Sequence, residues 1–328
     1  MSSRRLLLDG GTGEELMKRG VVDDRKTWSA VAVSKSVYHD VLYEVHLDFL
    51  KAGSDYVTCN NFGITPGVGF HENTMKELTR KSGEICRRAR DDFERISQGR
   101  RGKILGSLPP LVESYRADLV MEHDKGVTLY KNCIIDVLDD LVDGWIAETL
   151  SGSQECIMAL DALGEYYGRQ DGSHLETKEV FVSMTVKKDG LVRSGEGAGE
   201  AVECILDHVL EGPFVERERL RLLGILFNCS RPEDISLALD AVRGTPRVME
   251  ALERLDVLLG AYPNRLTAIP DGWALKENAE PQDTREDLNS GEFVEICRDW
   301  MTNKGVGILG GCCGIGPDYI EQLHKELF

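Results

Sequence analysis

Short apolar runs rich in β-branched residues alternate with longer amphipathic segments along the whole chain, and they do so eight times. Strands are expected at 5–9 (RLLLD), 55–59 (DYVTC), 103–107 (KILGS), 144–148 (GWIAE), 180–186 (VFVSMTV), 222–228 (LLGILFN), 256–262 (DVLLGAY) and 305–310 (GVGILG). Helical patterns fill 13–19, 74–97, 128–142, 151–166, 199–211, 231–243, 288–303 and 317–327. Continuous apolar strands joined by helical crossovers imply a parallel sheet covered on its outer face. Eight such units close most economically into a (β/α)8 barrel, which needs about 250 residues before insertions. The chain has 328 residues, and the surplus falls in three polar loops, 108–127, 164–178 and 271–287. A single barrel domain spanning 1–328 is expected. A two-domain doubly wound sheet is the alternative, and no break in composition marks a boundary for it.

Active sites on this architecture form at the carboxyl ends of the strands. Reading just past each strand gives Asp9, CNNF (59–62), SLPPL (107–111), Glu148, Thr185, NCS (228–230), YPN (262–264) and GGCCG (310–314). Asn60 and Asn61 face the mouth in this reading, and Phe62 is a packing residue. Of the nine cysteines, Cys86, Cys133, Cys156, Cys204 and Cys297 read as buried small hydrophobes, and Cys59 as packing. Cys229, Cys312 and Cys313 have different surroundings. They stand at the ends of strands six and eight, close together at the barrel mouth, and the glycines beside the vicinal pair allow a sharp turn. Three thiolates with an open fourth position suit Zn²⁺. A redox-active vicinal pair and coincidental packing are the competing readings. None of the seven histidines falls in a ligand-spaced pair, so any metal site is sulfur-rich.

The formal net charge of −17 disfavours nucleic acid or an anionic membrane as partner. No apolar run approaches the roughly 20 residues that span a bilayer. The opening MSSRRLLLDGG is too short in apolar residues for a secretory signal. An odd number of cysteines without such a signal argues against a disulfide framework. A cytosolic protein acting on small molecules is expected, with no oligomeric state assigned.

The order of these pieces resembles the homocysteine S-methyltransferase family. LLLDGGTGEELMKRG (6–20) is similar to the family's glycine-rich opening, and WSA (28–30) with HLDFLKAGSDYVTCNNF (46–62) to its first helix and second strand. IAETL (146–150) is similar to its fourth strand, and VFVSMTVKKDG (180–190) with SGEG (194–197) to its fifth. GILFNCSRPEDI (224–235), AYPN (261–264) and GVGILGGCCGIGPDYI (305–320) match its remaining motifs, including all three unusual cysteines.

The resemblance implies a (β/α)8 barrel in which Cys229, Cys312 and Cys313 bind Zn²⁺. It implies that Asp9 and Glu148 hold the ammonium of homocysteine and that the N–H groups of Gly10 and Gly11 take its carboxylate. Asn61 and Asn228 are further expected substrate contacts, Asn228 alternatively as a support for the metal site. No catalytic side chain is expected. A thiol with a pKa near about 8.5 in water is deprotonated by coordination, and the thiolate attacks a methyl group on a sulfonium or ammonium donor, giving methionine. Three departures bear on the donor. NNFGITPG (60–67) has no tyrosine where betaine users carry an aromatic, GSLPPLVESYR (106–116) departs from the family's usual segment, and Arg265 follows YPN. The chain also lacks the long C-terminal extension associated with betaine enzymes. S-methylmethionine or S-adenosylmethionine is the expected donor. A betaine-like donor, another thiol or selenol acceptor, and a zinc- and thiol-binding protein without turnover are the alternatives.

Overall fold

All eight expected strands form: β1 (Leu6–Leu7), β2 (Tyr56–Thr58), β3 (Lys103–Leu108), β4 (Gly144–Leu150), β5 (Lys178–Met184), β6 (Leu220–Asn228), β7 (Leu258–Tyr262) and β8 (Val306–Leu309). The structure is a computed structural model describing residues 4–24, 26–168, 176–211, 219–270, 273 and 283–328. The strands pair in parallel in the order β1-β8-β7-β6-β5-β4-β3-β2, the ladder of a (β/α)8 barrel. The expected loops 164–178 and 271–287 fall partly outside the described residues, at 169–175 and at 271–272 and 274–282.

The ladder runs from β1 round to β2, and carboxylates bridge the seam between those two strands. The Asp55 N–H donates to the Leu7 carbonyl (2.7 Å), and the Leu7 N–H donates to Asp55 Oδ2 (2.8 Å). One turn higher, the Thr58 N–H donates to Asp9 Oδ2 (2.8 Å). Side-chain oxygens thus stand where a neighbouring strand's carbonyls would otherwise be.

Alternation along the strands sorts side chains into two shells. Leu8, Leu105, Ile146, Phe181, Leu226 and Ile308 fill the barrel interior, while a larger apolar layer lies between sheet and helices. The register slips by a residue in three strands: in β8, where Leu259 and Gly260 of β7 pair with Val306 and Ile308, and in β6 and β4. In β6, Val180 and Phe181 of β5 pair with Leu222 and Gly224, so one residue is extra. In β4, the register slips between Ala147 and Leu150, and Thr149 within the slip has φ 64°. A bulge re-aims the side chains beside it, and here it turns both Glu148 and Thr149 to the mouth.

Two helices go beyond the periodic segments read from the sequence. His39–Ala52 is the crossover from β1 to β2; it packs between Glu72–Ile96 and Pro317–Leu327 and ends at Gly53, φ 116°. Its stripe of Leu42, Val45, Phe49 and Leu50 has helical spacing, but short turns over 28–38 precede it and interrupt the pattern. The helix expected at 13–19, found as Thr12–Lys18, is an additional turn just past the end of β1. Pro246–Leu255 is a second helix between β6 and β7. The segment expected as 128–142 begins earlier, at His123, because the Glu122 side chain caps the N–H groups of Asp124 and Lys125. Among the described residues, no helix is long and apolar enough to cross a membrane.

Asp55→Ala removes the acceptor of a buried backbone N–H at the seam and is expected to cost about 1–3 kcal/mol in urea denaturation. Asp55→Asn keeps an oxygen there and is expected to lose less.

Candidate metal centre and substrate pocket

Cys229 ends β6, while Cys312 and Cys313 follow β8, and the YPN segment after β7 straps the two together. The Cys229 N–H donates to the Tyr262 carbonyl (3.3 Å) and the Cys312 N–H to the Pro263 carbonyl (2.9 Å). The Asn264 N–H reaches the Ser230 carbonyl (3.1 Å). Cys229 has φ 45°, an uncommon backbone state for a residue with a side chain. The sulfurs of Cys229, Cys312 and Cys313 all lie within 4.8 Å of one another. Tetrahedral coordination at about 2.3 Å per sulfur needs sulfurs roughly 3.8 Å apart, so the cluster is of a size to hold a metal ion. Burial pushes the Cys313 thiol well above its usual range, and the nearby carboxylates of Glu14 and Glu148 push it further. A bound cation reverses that penalty, so the donor set fits a metal.

Cys229 and Cys312 are joined here as a disulfide, and Cys313 is a free thiol. This corrects the expectation that the chain carries no disulfide. The strap that brings metal ligands together also brings two sulfurs within bonding reach. Disulfide and metal compete for the same atoms, because only thiolates ligate; the reduced pair is the metal-holding form.

A pocket opens beside this cluster, and among the described residues its acidic lining is Asp9, Glu14 and Glu148, with no lysine, arginine or histidine. Asp9 is buried, and its carboxyl is pushed up to about 8, first by burial and further by Glu148, against the Thr58 N–H bond that lowers it. Glu148 is pushed up to about 7 by burial, although the Ser107 hydroxyl donates to its Oε1 at 2.6 Å. The Tyr262 hydroxyl, buried on the same wall, makes no well-formed hydrogen bond and stands within interaction range of Glu148 and Ser183. Two buried carboxyls with raised pKa, facing one cleft, are the pattern of a site for a polar guest.

Asp9, Gly10, Gly11, Glu148 and the three cysteines line this one pocket, as their strand-end positions require. Gly11 takes part differently from expectation. Its N–H already donates to the Ile315 carbonyl (2.9 Å), and a Cβ there would stand 2.5 Å from the Cys312 carbonyl oxygen. It is the close-approach point under the cysteine turn rather than an anion donor.

Asn61 and Asn228 are not pocket residues. Asn61 spends its amide on the Ser107 backbone, donating to the carbonyl (2.8 Å) and accepting from the N–H (3.2 Å). Asn228 accepts from the Thr149 N–H (3.0 Å) and the Ser183 hydroxyl (2.8 Å) and donates to Thr149 Oγ1 (2.9 Å). It clamps Thr149 in its left-handed conformation and so fixes the bulge that aims Glu148. Cys59 lines the pocket as well as packing, and Cys204 is half-buried rather than buried. Sequence reasoning missed Tyr262, Thr58 and Ser107 as site residues. Tyr262 and Ser107 sit at ends of strands already marked as mouth positions, which was the available signal.

The family model described as homocysteine S-methyltransferase matches residues 6–327. The chain belongs to that family. It is 26% identical to selenocysteine Se-methyltransferase of Brassica oleracea var. italica, over 98% of this chain and 88% of the relative. It is 24% identical to homocysteine S-methyltransferase 2 of Arabidopsis thaliana, over 98% and 92% respectively. The metallated homocysteine methyltransferase MmuM of Escherichia coli has the same fold, with TM-score 0.71 at 22% identity, covering 99% of this chain and 96% of that one.

Two outcomes follow for this family member. Gly11→Ala is expected to displace the Cys312–Cys313 turn and cut bound metal per chain at least tenfold by elemental analysis, with the far-ultraviolet spectrum retained. The raised carboxyls set a pH dependence. The folded protein keeps protons on Asp9 and Glu148 that the unfolded chain gives up from about pH 4, so the stability they contribute is complete below that and is lost as pH rises through about 7 and 8. In the double variant Asp9→Asn, Glu148→Gln the decline of urea midpoints between pH 5 and 8 is expected to flatten.

Proposed function

We propose that this chain transfers a methyl group from a small sulfonium donor, S-methylmethionine or S-adenosylmethionine, to the thiol of homocysteine, giving methionine. The observation that carries the reading is the pocket itself: among the described residues it is lined by three carboxyls and three sulfurs and by no basic side chain. An α-amino acid ending in a thiol matches that lining. Zn²⁺ held by Cys229, Cys312 and Cys313 supplies deprotonation of the added thiol while leaving it nucleophilic. In the reducing cytosol, the proposed setting, the cysteine pair is available as thiolates.

The chain's own residues do the rest. Asp9 and Glu148 pair with the substrate ammonium, which pulls their raised carboxyls down and releases protons on binding near neutral pH. The Tyr262 hydroxyl gains a partner on the same head group. The Gly10 N–H, at the entry to the Thr12–Lys18 helix, takes the carboxylate. Holding the head fixed aims the sulfur at the cysteine corner, and orientation of this kind is a large part of a displacement's rate. In the displacement one S–C bond forms on homocysteine, and the pair from the broken S–C bond returns to the donor sulfur as a thioether. A selenol acceptor is a second reading, favoured by the Brassica relative's activity toward selenocysteine as its name gives it.

Purified zinc-loaded protein is expected to form methionine from homocysteine and S-methylmethionine. Cys312→Ser is expected to abolish it, and undiminished product in that variant would overturn the assignment. Glu148→Gln is expected to raise KM for homocysteine at least tenfold. A panel that adds selenohomocysteine separates the acceptors.

A further inference from the structure

A second cavity, of about 410 Å³, opens beside the metal corner, and Cys229 is the one described residue lining both it and the acidic pocket. That volume lies in the range of small-molecule sites. Its charge is the reverse of its neighbour's. Lys187, Lys188, Arg193 and Arg231 line it against Asp189 and Asp234. Arg231 is cancelled, because its guanidinium makes a two-point bond to Asp234 at 2.8 and 2.7 Å. Asp189 turns one oxygen to the Leu191 N–H (3.1 Å). Neither Lys187 nor Lys188 forms an ion pair among the described residues. A net basic chamber in a chain of charge −17 is not the average surface continued inward.

Arg193 connects this chamber to the sulfur corner. Its guanidinium lies over the Tyr115 ring at 5.2 Å from the centroid and donates to the Ile269 carbonyl at 3.5 Å. Tyr115, held at φ 65°, stands close enough to Cys313 for the two to interact electrostatically. A guanidinium stacked on a ring is oriented as a planar fork suited to a carboxylate.

We propose that this chamber is the methyl-donor subsite, and that Lys187, Lys188 and Arg193 hold the carboxylate of a donor that carries its methyl group on a sulfonium centre. The inference rests on the methyl-transfer reading above and adds the donor's seat and the side chains that hold its carboxylate. With the carboxylate at Arg193, the donor lies along Cys229, and its sulfonium end approaches the corner where the acceptor sulfur arrives from the acidic pocket. The two substrates meet across one cysteine, so the methyl group has the acceptor sulfur on one side and its leaving sulfur on the other. Charge gives the chamber its selectivity: its lysines and Arg193 favour a donor that carries a carboxylate over a bare cation.

The test compares S-methylmethionine with trimethylsulfonium, a methyl donor without a carboxylate, on the zinc-loaded full chain. Wild type is expected to prefer S-methylmethionine in kcat/KM. In Arg193→Ala, and in the double variant Lys187→Ala, Lys188→Ala, the preference is expected to fall at least tenfold through KM for S-methylmethionine, with partial recovery in Arg193→Lys. An equal loss with both donors, as general misfolding gives, or an unmoved preference overturns the subsite. Calorimetric Kd values for S-methylmethionine provide a readout without turnover. Binding that weakens in the variants upholds the subsite even where no methyl transfer occurs, and that outcome fails the reading of function alone. Binding indifferent to all three residues fails the subsite alone.

Discussion

The hydrogen bonds of Asp9 are what the rest of the structure depends on. Its carboxylate takes the Thr58 N–H and so fastens β2 across the seam, while its carbonyl takes the Gly311 N–H (2.9 Å) and so fastens the turn that carries Cys312 and Cys313. Barrel closure, the metal ligands and the pocket wall are thereby referred to one residue. The arrangement keeps a carboxyl away from water, at the cost its high pKa records. A barrel closed by a plain backbone ladder would not carry that cost, and would also have no acid at this point of the mouth.

Around that anchor, backbone conformations that side chains resist gather at the site. Trp28, Tyr115, Thr149 and Cys229 all have positive φ, between 45° and 65°. Such residues persist only where the surroundings over-determine them. For Thr149 the surroundings are visible: Asn228 grips both its N–H and its hydroxyl. The left-handed turn there is how a strand that points alternate residues in and out manages to present two consecutive ones to the same pocket.

Much of this was legible in the sequence, for physical reasons that differ by element. The strands were readable because burial on both faces leaves continuous apolar runs, and all eight appeared where expected. Cys312 and Cys313 were readable because adjacent sulfurs in a glycine run are a poor packing choice, and Cys229 because it ends a strand at the barrel mouth. His39–Ala52 was harder to read as the β1 crossover, since a shorter helix, Thr12–Lys18, precedes it at the mouth. Asn61 and Asn228 show the limit more sharply. A strand-end asparagine looks the same in sequence whether its amide meets a ligand or a neighbouring backbone, and here both amides meet protein. The seam and the bulge are likewise invisible in composition, because they depend on register between strands tens of residues apart.

The Cys229–Cys312 bond joins positions separated by 83 residues, enclosing β7 and β8, the last two strands of the barrel. A crosslink over so long a stretch narrows the unfolded ensemble and raises resistance to denaturation. The same bond removes two sulfurs from the centre on which competence depends. For this molecule the crosslink and the ion draw on the same sulfurs, so any endurance the bond confers belongs to the form that has given up its ligands.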